Sequence, residues 1–203
     1  FSSWAFVVLQ DFNEIDQYLI NTQAIFAYLR DVQRLKKWSV KGEFKETKLM
    51  KDHLIFMERL GVYYSKLYSF LLDKKIGYQG LMYREATTKT AAFINKHPHK
   101  KFFFIGFNAL NKAEEFLFEA FLENEQSEVY WDIDRAFFKS NHSAGSFIRK
   151  YKTKWKYYEK NTLKQISNNF LAEKNIEIIG ATKNISQLKY AGEILEGFSD
   201  HQN

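Results

Sequence analysis

FFFIGFNALNKAEEFLFEAFL, Phe102 to Leu122, is the stretch on which the fold turns. Phe102 to Ile105 is a continuous apolar run, which predicts a strand covered on both faces. A tight turn at Gly106 follows, and then Leu110, Ala113, Phe116, Leu117, Ala120 and Phe121 stripe a helix. Glu128 to Ile133 alternates as a second strand. Ile176 to Ile179, ending at Gly180, reads as a third, followed by a helix carrying Ile185, Leu188, Ala191 and Leu195. Strand, helix, strand, helix, strand predicts right-handed crossovers and a parallel sheet. Three strands are few for such a sheet, which points to further strands outside this sequence.

Upstream the periodicity is purely helical. Trp4 to Trp38 holds neither glycine nor proline, and Trp4, Val8, Phe12, Ile15, Leu19, Thr22, Phe26 and Leu29 step by three or four, predicting one long amphipathic helix. A second helix is expected from an N-cap at Thr47, with Leu49, His53, Phe56, Leu60, Tyr63, Leu67 and Phe70 on its apolar face and a break at Gly77 and Gly80. A third, Tyr83 to Asn95, closes before Pro98, because a proline pushes the preceding residue out of helical geometry. The fold class expected is therefore α/β with a large all-helical part: long antiparallel helices over residues 1–98 and an α/β lobe with at least three strands over 99–203.

Composition narrows the function. The chain has 203 residues, 45% of them hydrophobic and 18% aromatic, enough for a packed core. With no cysteine, disulfides and thiolate metal sites are excluded, and a reducing, cytoplasmic setting fits better than secretion. No apolar run approaches the roughly 18 residues that would suggest a membrane span. The sequence begins at Phe1 rather than at a methionine, and the expectation is an internal piece of a longer polypeptide.

Several small motifs suggest chemistry without completing it. No glycine is followed by lysine and Ser/Thr, so the chain alone is not expected to bind ATP in the P-loop manner. Asp132 and Asp134, in WDID at a strand end, share a strand face and could together hold Mg²⁺. A third carboxylate would be expected on the neighbouring strand tip, where Gly106-Phe107-Asn108 stands instead. His97 and His99 lack a third ligand at recognisable spacing. His53 reads as a hydrogen-bonded core histidine, and Asp11, Glu14 and Asp16 read as a capped or salt-bridged helix. Glu43-Phe44-Lys45, a carboxylate two residues before a lysine, has no strand before it to make a nuclease core.

Charge is localised. Nine basic residues stand between Arg135 and Lys164 against the single acid Glu159, a balance of +8 that leaves −2 for the rest of a chain whose net charge is +6. Localised basic charge points to a polyanionic partner. In SFIRKYKTKWKYYEK, Ile148, Tyr151, Trp155 and Tyr158 fall on one side of a helix, with Arg149, Lys150, Lys152, Lys154 and Lys156 around the rest. Lysines neutralise phosphates and exposed aromatics stack on bases, so Trp155 or Tyr151 would stack. The competing reading makes the aromatics core and the lysines solvation.

The succession FFFIGFNALNKAEEFLFEAFLENEQSEVYWDIDRAFF resembles the second and third motif region of superfamily 1 helicases. It looks most like the AddB/RexB type of helicase-nuclease subunit, a branch of the PD-(D/E)XK nuclease superfamily. DFNEIDQYL, YQGLMYREA, NHSAGSFIRKYK and IEIIGATKNISQLKYAGEIL extend the likeness in the expected order. In a working motor of that kind an acid pair at the first strand tip holds Mg²⁺; the matching positions here are Ile105 and Gly106, and Asp132 matches the third-motif aspartate. The resemblance implies a degenerate ATPase scaffold that holds DNA during end processing and recombinational repair. Its partners would be DNA, the remaining domains of a parent protein and a helicase-nuclease partner subunit. It also implies no catalytic residue and no cofactor here, since the nuclease domain of the family lies further toward the C-terminus. Two other readings compete: a Toprim-like phosphotransfer domain using Mg²⁺ at Asp132 and Asp134, and a scaffold that contacts only protein.

Overall fold

The structure is a computed structural model that describes residues 2–30, 48–125 and 127–199. Glu43-Phe44-Lys45 and Thr47 lie outside the described residues, as does the side chain of His53. Residues through Phe170 form one compact unit, and Leu171 onward a second.

The first unit opens with helices α1 (Ser2–Gln17), α2 (Thr22–Arg30), α3 (Lys48–Asp73) and α4 (Gln79–Lys96). The single helix expected from Trp4 is broken at its middle. Leu19 takes a left-handed φ of 53°, and Ile20 donates its N–H back to the Ile15 carbonyl, which closes α1 as a helix C-cap usually built on glycine. Asn21 then caps the next helix by accepting from Ala24 N–H at 2.9 Å. Apolar periodicity runs straight through this break, so the spacing alone could not reveal it.

Phe12, Phe26, Leu60 and Tyr64 form the core of the helical part, with Phe12 edge-on to both Phe26 and Tyr64. The inner face of α3 drifts from the expected stripe: Tyr64 is buried, while Tyr63 and Phe70 are exposed. The cause is polar. The Tyr64 hydroxyl donates to Asp16 at 2.5 Å and the Tyr68 hydroxyl donates to Glu85, so hydrogen bonds select these two rings over their neighbours.

Strand β1 (Phe102–Ile105), helix α5 (Lys112–Glu123) and strand β2 (Ser127–Tyr130) make a parallel crossover, with Phe102 opposite Ser127 and Ile105 opposite Tyr130. Asn111 caps α5 in a full capping box with Glu114. Across the expected 98/99 junction, Phe93 of α4 packs on Phe102 and Phe121. The remaining helices are α6 (Arg135–Lys139), α7 (Ser146–Lys154) and α8 (Tyr157–Lys160), with a 3₁₀ turn at Ser143–Gly145.

The sheet has two strands among the described residues, not three or more. Its second face is also open: Phe102 and Phe104 turn toward α5, but Phe103 and Ile105 are 56% and 68% exposed. A further segment runs alongside the end of β2. Lys164 and Ser167 bridge in parallel to Tyr130 and Asp134. Ile176 to Ile179 pairs with nothing among the described residues, and Ile178 is 92% exposed. The second unit holds this extended run and helix α9 (Asn184–Ser199). No helix among the described residues is long and apolar enough to cross a membrane.

Candidate nucleic-acid interface

The basic segment divides by face. Its aromatic side is core: Ile148, Tyr151, Trp155 and Tyr158 pack with Phe118, Leu122, Val129 and Trp131. Tyr151 and Trp155, the residues expected to stack on bases, are 0% and 3% exposed. Tyr151 Oη accepts from Leu110 N–H at 2.8 Å, and Trp131 Nε1 donates to Tyr158 Oη at 2.6 Å. Burial pushes the Tyr158 hydroxyl up to about 12, so it stays protonated. The segment is not one helix. It is interrupted at Trp155, whose extended backbone ends α7 and turns the chain into α8.

The cations divide as well. Arg149 holds the Phe137 and His142 carbonyls at 2.6 and 2.7 Å, satisfying backbone acceptors at and beyond the end of α6. Gly145 is required beside it, since an added Cβ would sit 2.3 Å from both the guanidinium and the Phe137 carbonyl. Lys150 bonds the buried Glu115 at 2.6 Å, and Lys152 donates to the Tyr158 carbonyl at 2.8 Å. These three are fixed by the fold. Lys154, Lys156 and Lys160 are exposed, and their side chains have no hydrogen-bond or ion-pair partner among the described residues. Free, exposed ammonium groups are what a phosphate backbone requires.

At the tip of β1, Ile105 and Gly106 supply no carboxylate. Ile105 is exposed and Gly106 sits at φ +77°, a left-handed position that glycine tolerates, with its N–H donating to the Tyr130 carbonyl at 3.0 Å. Asp132 is exposed beyond the end of β2. Asp134 is committed elsewhere: one oxygen accepts from Ala136 N–H at 2.9 Å to cap α6. The other accepts from Ser167 Oγ, Asn169 N–H and Phe170 N–H at 3.0, 2.7 and 3.0 Å. Hydrogen bonds from Ala136 and Phe170 hold its carboxyl below the usual range. Of Asp132 and Asp134, the Mg²⁺ pair of the competing reading, Asp134 thus already accepts four hydrogen bonds. His97 caps the end of α4 and packs on Phe93 at 4.7 Å. Among the described residues no three His, Asp or Glu gather as metal ligands would.

Beneath the free lysines lies a cleft of about 420 Å³ at the N-terminal ends of the two strands. Lys101, Lys156, Lys160 and Lys164 line it, with the aromatic residues Phe102, Phe103 and Tyr157. Glu123, Glu125, Glu128 and Glu159 line it too, but Glu128 is taken by Lys164 at 2.5 Å and by the Tyr130 hydroxyl at 2.6 Å. Those two hydrogen bonds keep the Glu128 carboxyl below its usual range. No motif in the sequence predicts a site here. Lys100-Lys101 immediately before a strand is a signal, but nothing in the spacing joins it to Lys156 fifty-five residues on.

No family model, curated protein or solved structure matches this chain.

Proposed function

We propose that this chain is a DNA-holding, non-hydrolysing portion of an AddB/RexB-like helicase-nuclease that serves DNA end processing and recombinational repair. The observation that carries the DNA-holding part is the division of the basic segment: its aromatics and three of its cations build the fold, while Lys154, Lys156 and Lys160 stand free on the surface. The degenerate ATPase part is supported by the β1–α5–β2 crossover, whose first strand runs into Ile105 and Gly106 where, by the resemblance, a motor would place acids. Ile105, exposed at the tip of β1, suits packing against other domains of the same machine.

The test is fluorescence anisotropy of labelled DNA with the whole chain across a salt series, repeated with Lys154, Lys156 and Lys160 changed to alanine. Every lysine–phosphate pairing removed should flatten the slope of log affinity against log salt by about 0.9 for duplex and about 0.7 for single strands. Absence of binding at low salt would overturn the reading.

A further inference from the structure

Resting on that reading, we infer that the cleft at the foot of the sheet seats one unpaired nucleotide of the bound strand, so that the chain prefers single-stranded to duplex DNA. Its size fits the range of small-ligand sites, and its walls carry both kinds of surface that a nucleotide needs. Phe103 and Tyr157 offer aromatic surface for a base. Lys156 and Lys160, free of protein partners, lie at the same cleft and continue from Lys154, placing a phosphodiester beside that base.

Charge selects the ligand class. Once Glu128 is neutralised by Lys164, three lysines, Lys101, Lys156 and Lys160, face the three carboxylates of Glu123, Glu125 and Glu159. That balance disfavours a polyphosphate and admits one phosphodiester with a polar base edge. In a duplex the bases are stacked and paired and cannot enter, whereas in a single strand they can.

The probe is an oligothymidylate of about twelve nucleotides with one central 2-aminopurine, compared with its duplex, on the whole chain. Expected are tighter binding of the single strand, quenching of 2-aminopurine as it stacks, and loss of both in Phe103→Ala, with affinity falling about five-fold or more as for other base-stacking rings. Phe103 is more than half exposed, so this change leaves the core intact, and the quenching in the unaltered chain reads stacking without any variant. Equal affinity for the two forms, without quenching but with salt dependence that falls on removing Lys154, Lys156 and Lys160, would overturn the cleft and leave DNA holding standing. No binding of either form at low salt would overturn both.

Discussion

Asp16 and Arg84 meet at 2.6 Å across 68 residues, and between them they end one helix and anchor another. Asp16 is fully buried. One oxygen accepts from Arg84 Nε and the Tyr64 hydroxyl, and the other from the Tyr78 hydroxyl at 2.5 Å. Burial first, and then the carboxylate itself, pushes both tyrosine hydroxyls far above their usual range, so they remain donors. The same guanidinium donates through Nη2 to the Ile15 and Ile20 carbonyls at 2.9 and 2.8 Å, satisfying acceptors at the end of α1. Arg84→Met should therefore strand a buried carboxylate and cost about 3–5 kcal/mol. The urea midpoint would fall at constant m-value, and an unchanged midpoint would mean that the tyrosines alone hold Asp16.

The return contact is Asn13 with Gly80. Asn13 Oδ1 accepts the Gly80 N–H at 2.7 Å, capping the start of α4 from α1, and a Cβ on Gly80 would lie 2.2 Å from the Asn13 carbonyl oxygen. Only a glycine lets the two backbones come this close. Gly80→Ala should force α1 and α4 apart and cost about 1–3 kcal/mol, read as a drop in thermal midpoint. An unchanged midpoint would show that the helices slide at no cost.

These contacts explain what could be read in advance. Local signals were sound where local physics decides: Pro98 closing α4, the strand-turn-helix from Phe102, and Ile148, Tyr151, Trp155 and Tyr158 as one face. They failed where a distant partner decides. Leu19 breaks α1 although nothing in its spacing says so, because Arg84 supplies the cap. Phe116 is exposed while Phe118 is buried against Phe104, because the apolar stripe of α5 follows the sheet it covers. Ile176 to Ile179 has strand composition but forms no strand among the described residues, since composition alone supplies no neighbouring strand to pair with. The cleft was invisible for the same reason, since it joins residues from three separate stretches.

Trp155 separates a stacking role from a packing one. It lies parallel to Tyr151 at 4.7 Å and contacts Trp131 and Tyr158 in a sealed core. Trp155→Ala should lower stability by about 3–5 kcal/mol, a cavity effect visible in denaturant melts without any DNA present. A stable variant with weakened DNA binding would return Trp155 to the surface role.

Asp134 gives the acid limb of stability. Its folded pKa is depressed below the ordinary value of 3.8, so the hydrogen bonds to the carboxylate contribute fully above that value. They are lost as pH falls through the lower, folded value. Melts of the unaltered chain should therefore decline on acidification below about pH 4, and Asp134→Asn should be less stable near neutrality with a flatter decline. Parallel pH curves for the two would show that the cap does not depend on charge.

Lys150 and Lys154 sit one turn apart on α7 but should behave oppositely. Lys150 bonds Glu115, whose side chain is 9% exposed and also holds Lys112 at 2.7 Å. Burial works to raise that carboxyl, but the two lysine hydrogen bonds outweigh it and keep it low, so the glutamate stays charged and needs both donors. Lys150→Ala leaves a nearly buried carboxylate with one partner, at a cost of about 1–3 kcal/mol. Lys154→Ala removes an exposed charge with no partner among the described residues and should move stability by no more than about 0.5 kcal/mol. On DNA the order reverses: Lys154→Ala should flatten the salt slope by one phosphate, while Lys150→Ala should leave it intact in protein that remains folded. Equal slope changes for the two would mean that Lys150 leaves Glu115 to meet phosphate, and the division of the segment into inner and outer cations would fail.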